Sequence, residues 1–205
     1  MGIKVGEGDE VRVDGVVVTP KRHHYVVLFK PKGVITTMDD PFGRETVRRY
    51  VPEMGGATLK PVGRLDQDTD GLLIFTNDGE FALRMTHPRY KVDKEYETTV
   101  TGLPTEDSLD RLRRGLFIED RKTSPAKVTV LNRDEKKGET MLSIVIHEGR
   151  KRQVRLMMDA IGHPVISLRR VRIGPLRIKG MNPGECRLLH QSDVIKLKQM
   201  VGLSE

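Results

Sequence analysis

The sequence predicts an α+β protein: a mostly antiparallel mixed sheet with flanking helices. Three observations carry this expectation. Strand-like segments outnumber helical ones, the connections between them are short enough to favour antiparallel pairing, and no internal repeat or low-complexity linker interrupts the 205 residues.

Taken in order, EVRVDGVVVT (10–19) alternates and turns at Asp14-Gly15, the signature of a tight hairpin. YVVLFKPKG (25–33) is an apolar strand stopped by a Pro-Gly cluster. GRETVRRYV (43–51) has Val47 and Val51 at helical spacing and predicts a short helix. LLIFT (72–76) is a continuous apolar run typical of a buried strand. DGEFALRMTH (78–87) reads as a helix capped by Asp78, with Phe81 and Met85 four residues apart and Leu83 beside them. KEYETTVTG (94–102) is rich in branched residues and predicts a strand, and Thr105 is placed to cap a helix that buries Leu109 and Leu112 and stops at Gly115. AKVTVL (126–131) and TMLSIVIHEG (140–149) alternate like paired strands. KRQVRLMMDAIG (151–162) turns Val154, Met157, Met158 and Ile161 inward, with Gly162 as its stop. VISLRRVRIGPLRI (165–178) returns to strand, and Ser192 is expected to cap a last helix bearing Val194, Leu197 and Val201.

No stretch approaches the ~18 apolar residues of a membrane span. Residues 1–15 have no apolar signal core, and the single Cys186 excludes an internal disulfide, so a cytoplasmic protein is expected. The net charge of +7 is unevenly distributed. Between His147 and Gly180 there are nine Lys or Arg against Glu148 and Asp159, so the whole excess sits in that segment. Arg150, Lys151, Arg152, Arg169, Arg170 and Arg172 form an expected RNA-binding patch, because a concentrated positive run suits a polyanion.

One acidic run stands against this basic background. GRLDQDTDG (63–71) sets Asp66, Asp68 and Asp70 at alternate positions before Gly71, like the opening of a calcium loop. The twelfth position of such a loop needs a bidentate Glu and here is Asn77, and the flanks are not helical. The six histidines have no ligand spacing, so no metal is expected.

KPKG (30–33), GRLDQDTDGLLIFTNDG (63–79), KEYE (94–97) and EGRKRQVRLM (148–157), in this order and spacing, resemble the pseudouridine synthases, in the branch that modifies ribosomal RNA. Gly63, Arg64, Leu65, Asp66, Thr69, Gly71, Leu72 and Leu73 all fit that family's long signature, and the likeness runs over about residues 24–200. The resemblance implies a fold of two ferredoxin-like halves meeting at a central cleft. It also implies a cofactor-independent isomerase acting on a specific uridine of ribosomal RNA, of the large subunit, or of a ribosome precursor particle. It implies Asp66 as the catalytic carboxylate, with Asp68 and Asp70 at variable positions and simply solvated. Tyr96 matches the residue that stacks on the flipped base. Arg155 matches the basic partner of the catalytic aspartate, placed at the start of its helix. Arg64 is expected on a phosphate or in the space left by the flipped base, with Lys30 and Lys94 in support.

Residues 1–22 look like only the last hairpin of the small S4 domain that opens most relatives, leaving 23–205 as the catalytic domain of an expected monomer. Leu156 stands where relatives often carry another Arg. The competing reading is a ribosome-assembly protein that grips RNA and does no chemistry. Asp66, Tyr96 and Arg155 together speak against it, since binding RNA requires no acid facing phosphates.

Overall fold

The computed structural model describes residues 11–18 and 22–203; the first part of the expected S4-like remnant, residues 1–10, lies outside them. Thirteen strands and four α-helices are present among these residues. The first two, β1 (Val11–Val13) and β2 (Val16–Val18), pair antiparallel with Val13 opposite Val16. Asp14 and Gly15 between them both have positive φ, 50° and 78°, which is the backbone an Asp-Gly two-residue turn supplies.

The main sheet contains β3 (Tyr25–Lys30), β4 (Lys60–Pro61), β5 (Asp70–Thr76), β6 (Lys94–Thr101), β9 (Lys127–Asp134), β10 (Glu139–Ile146), β11 (Val165–Ile173), β12 (Leu176–Arg177) and β13 (Cys186–Leu188). Its order is β13-β3-β5-β11-β6-β10-β9, with β4 beside β5 and β12 beside β11. Only β5 and β11 run parallel within it, through Asp70–Arg169 and Gly71–Arg170. The short pair β7 (Phe117–Ile118) and β8 (Arg121–Lys122) forms a separate hairpin.

Four helices complete the layer: α1 (Gly79–Thr86), α2 (Glu106–Arg114), α3 (Gln153–Asp159) and α4 (Gln191–Met200). Phe81 and Met85 of α1 and Leu197 of α4 pack on Tyr25, Val27, Leu72 and Ile74. Leu109 and Leu112 of α2 and Val154, Met157 and Met158 of α3 pack on Tyr96, Val100, Leu142 and Ile144. The alternate residues Val26, Leu28, Leu73 and Phe75 are covered from the other side by Val34, Val47 and Leu59 of the long β3–β4 connection. Because β3 and β5 are buried on both faces, their sequences read as continuous apolar runs rather than alternation.

Asp78 and Thr105 cap α1 and α2 as expected, accepting from the backbone of Phe81 and Ser108. Three local expectations are corrected. Residues 47–50 form a single 3₁₀ turn, too short to bury more than Val47. Leu83 is 56% exposed, since two residues along a helix is about 200° around it from Phe81. The last helix begins at Gln191 with His190 as its unbonded cap, so Ser192 lies inside it.

Candidate active site

The loop between β4 and β5 is held from two sides. On one side, Thr36 Oγ1 donates to the Leu65 carbonyl at 2.7 Å and accepts from its N–H at 3.2 Å. Nearby, the Gly33 N–H donates to the Gln67 carbonyl at 2.8 Å. On the other side, Arg155 Nη2 donates to the Asp68 carbonyl at 3.1 Å and to Thr69 Oγ1 at 3.4 Å. Within the loop the Thr69 N–H closes onto the Asp66 carbonyl at 3.1 Å. Asp66, half-buried, is thereby presented on a fixed backbone to a cleft of about 580 Å³.

That cleft runs between α1 and α3. Asp66 and Arg64 line it from the loop, Lys94 and Tyr96 from β6, Leu168 and Arg170 from β11, and residues 150–152 from the turn before α3. Lys94 and Tyr96 share a strand face by alternation. Arg170 pairs directly across from Tyr96, but the next partners are Arg172 and Glu95, so the strand bulges at Val171. Arg170 faces the cleft with Leu168 by plain alternation, and the extra residue beyond it lets Arg172 meet Glu95 on the other side of the sheet. The close approach of β5 to β11 depends on Gly71: a Cβ there would sit 2.3 Å from the Arg170 carbonyl oxygen.

The electrostatics correct the sequence reading at several points. Arg155 lies third in α3 and faces the Asp66 loop, as expected. Its carboxylate partner is Asp68, at 3.1 Å, however, and it stands behind the loop rather than on the cleft wall. Asp68 also meets Arg152 at 3.5 Å, and Asp70 holds Arg169 at 2.7 Å, so neither acid is simply solvated. The patch is likewise less free than its sequence suggests. Arg172 pairs with Glu95 at 2.6 Å, and this hydrogen bond holds the Glu95 carboxyl below the usual carboxylate range. Arg150 donates to the carbonyls of Arg121 at 3.1 Å and Lys122 at 2.6 Å, tying the β7–β8 hairpin to the cleft rim. Arg169 and Arg172 do not line the cleft; Arg169 fronts a smaller depression of about 300 Å³ with Glu97 and Thr99.

Lys30 is also corrected. It is fully buried and outside the cleft, with Nζ donating to the carbonyls of Pro31 at 2.8 Å and Val34 at 2.7 Å. Burial lowers its pKa to about 8. It ties the end of β3 to the segment that carries Thr36 and is a scaffold residue.

Arg170 has a place the sequence did not assign it. Counted there among surface cations, it is 3% exposed, donates Nε to the Leu72 carbonyl at 2.8 Å, and keeps Nη2 buried without a hydrogen-bond partner. Alternation along SLRRV would have put it on the face of Leu168, which was the available signal.

Comparison with known proteins agrees with this geometry. The family profile described as RNA pseudouridylate synthase matches residues 24–160. A Bacillus subtilis (strain 168) protein named ribosomal large subunit pseudouridine synthase B is 42% identical over 200 residues, spanning 98% of this chain and 82% of that protein. An Aquifex aeolicus (strain VF5) protein named as an uncharacterised RNA pseudouridine synthase is 40% identical over 205 residues, 99% of this chain and 81% of that one. A crystal structure of a pseudouridylate synthase superposes with a TM-score of 0.78 at 30% identity, covering 95% of this chain and 83% of that one. The fold is therefore that of an enzyme that isomerises uridine to pseudouridine. The chain belongs to the RNA pseudouridylate synthase family.

Proposed function

We propose that the substrate is a uridine of large-subunit ribosomal RNA, everted from the RNA and received in the cleft between α1 and α3, with Asp66 as the catalytic carboxylate and Tyr96 as the stacking platform. The observation that carries this reading is that Asp66 and Tyr96, 30 positions apart in sequence, line one cleft of about 580 Å³. The choice of RNA is supported by the likeness to a relative named for the large ribosomal subunit. The reaction breaks the bond between base and ribose, turns the base and rejoins it through C5. It is redox-neutral and adds no water, so the chain's own groups suffice. A carboxylate beside the anomeric carbon stabilises positive charge there, or bonds to it. Everting the base costs a few kcal/mol, and stacking on an aromatic ring returns about 1–3 kcal/mol. Arg64 and the rim residues Lys151 and Arg152 are then the phosphate contacts, since they are exposed at the cleft mouth.

On this reading residues 1–22 are a remnant hairpin of an S4-like RNA-binding domain and 23–205 form the catalytic domain; the family match beginning at residue 24 supports that boundary. A cytoplasmic monomer working on ribosomal RNA or a precursor particle fits it. No described helix is long and apolar enough to cross a membrane.

The test is to map pseudouridine across ribosomal RNA from cells with the gene, without it, and with Asp66→Asn. One large-subunit position should lose the modification in the second and third cases and regain it only with the wild-type chain. An unchanged map would refute the proposal.

A further inference from the structure

Arg155, Arg152, Arg169 and Arg172 each have a carboxylate within 4.0 Å. Lys94 and Arg170 differ: among the described residues neither forms an ion pair, although both line the cleft wall around Tyr96. Arg170 is almost wholly buried with one N–H group unpartnered. Lys94 Nζ donates to the Val92 carbonyl at 3.1 Å, which leaves two of its three protons to donate. Buried Arg170, with half-buried Lys94 beside it and no ion pair at either, is costly to hold charged unless the site acquires negative charge. They flank Tyr96, where the base would lie, rather than the rim where phosphates would lie.

Resting on the function proposed above, we propose that Lys94 and Arg170 form a cationic floor that binds the carbonyl oxygens of the everted uracil and stabilises the ring as an anion while it is detached from the sugar. The electron accounting fits this role. When the C1′–N1 bond breaks, its pair goes to the base and spreads over N1 and the ring carbonyls, leaving C1′ electron-poor beside Asp66. After the ring turns, C5 supplies the pair for the new bond to C1′, the C5 proton leaves and N1 takes up a proton, so the product is an isomer. Asp66 then answers the positive charge on the sugar, and Lys94 with Arg170 the negative charge on the base. Preorganised donors aimed at charge that develops only during reaction are the most effective kind.

Lys94 also gives the floor a titration. Burial, then the neighbouring Arg170, lower its pKa to about 8, against the opposing pull of Asp93. The other charged groups around the cleft are Asp66 and Arg64 on the loop and the basic run 150–152.

The test uses the whole enzyme with a large-subunit RNA fragment that it modifies, in single turnover at saturating enzyme. Lys94→Met should lower the rate by about 100-fold or more with RNA affinity within about threefold. The wild-type rate should fall above about pH 8, as Lys94 loses its proton, and that fall should vanish in Lys94→Met and Lys94→Arg. Lys94→Arg, which keeps a permanent cation, should recover most of the rate; if Lys94→Met does not fold, the pH profile of Lys94→Arg against wild type decides the matter. A rate for Lys94→Met within about threefold of wild type overturns the inference, as does lost affinity with the rate retained, the mark of a phosphate contact. Survival of the alkaline fall in both variants overturns it too. If the wild type modifies no ribosomal fragment, the function proposed above fails and this inference with it. If the wild type is active and Asp66→Asn is dead while Lys94→Met behaves as wild type, this inference alone fails.

Discussion

Arg155 grips Asp68 twice, once at the carboxylate and once at the backbone carbonyl, both at 3.1 Å. Its side chain is only 9% exposed, whereas that of Asp68 is 41% exposed. The contact is therefore a fastening of the Asp66 loop from behind, and its worth lies more in the buried guanidinium's bonds to the loop backbone than in the ion pair.

It follows that Asp68→Asn should be mild and Arg155→Met severe. Asp68→Asn keeps the carbonyl and should leave turnover within about threefold of wild type. Arg155→Met lets go of the loop and should destabilise by about 1–3 kcal/mol and slow turnover by about 100-fold through misplacement of Asp66. Urea unfolding and single-turnover rates measure both. An Asp68→Asn enzyme as dead as Asp66→Asn would mean that Asp68 reacts.

Lys30 should separate stability from chemistry. With two carbonyls relying on its ammonium, Lys30→Met should cost about 1–3 kcal/mol while the folded fraction retains wild-type turnover. Loss of activity without loss of stability would place Lys30 in the reaction.

Tyr96 lines the cleft yet is 8% exposed and packs in the same cluster as Leu65. Tyr96→Phe keeps both the stacking surface and the packing and should stay within about tenfold in rate. Tyr96→Ala removes both, losing about 3–5 kcal/mol of stability together with most activity. Equal effects of the two substitutions would exclude a stacking platform.

Glu95 gives a pH signature of folding. Its hydrogen bond from Arg172, aided by one from Ser143, holds the folded carboxyl below its unfolded value of about 4.3. A depressed folded pKa contributes stability that is present above the unfolded pKa and is lost as pH falls through the folded one. Glu95→Gln should therefore be less stable than wild type by on the order of 1 kcal/mol at pH 7, with the gap closing below about pH 4. Unfolding curves at several pH values measure it, and a gap independent of pH would contradict it.

The parts of the fold that were legible in sequence are those set by neighbours along the chain. Helix α2 announces itself by Thr105, Leu109, Leu112 and Gly115, and the Asp66 loop by a signature within eleven residues, 63–73. What was not legible depends on strands meeting from far apart. Asp70 and Arg169 are 99 positions apart, and Arg155 is 87 from the Asp68 carbonyl it holds, so a local charge count treats as free several cations that the sheet neutralises. The burial of Lys30 and the bulge that sets Arg172 across from Glu95 are decided by strand pairing, which no local pattern encodes.

The position of β11 between β5 and β6 has a further consequence for how the molecule comes into being on the ribosome. Its two flanking strands are made early, yet they are joined into one sheet only when residues 165–173 arrive to bridge them. The nascent chain therefore carries its signature loop for most of its synthesis without the wall opposite it, and competence is acquired late and at once, when the last third of the polypeptide docks.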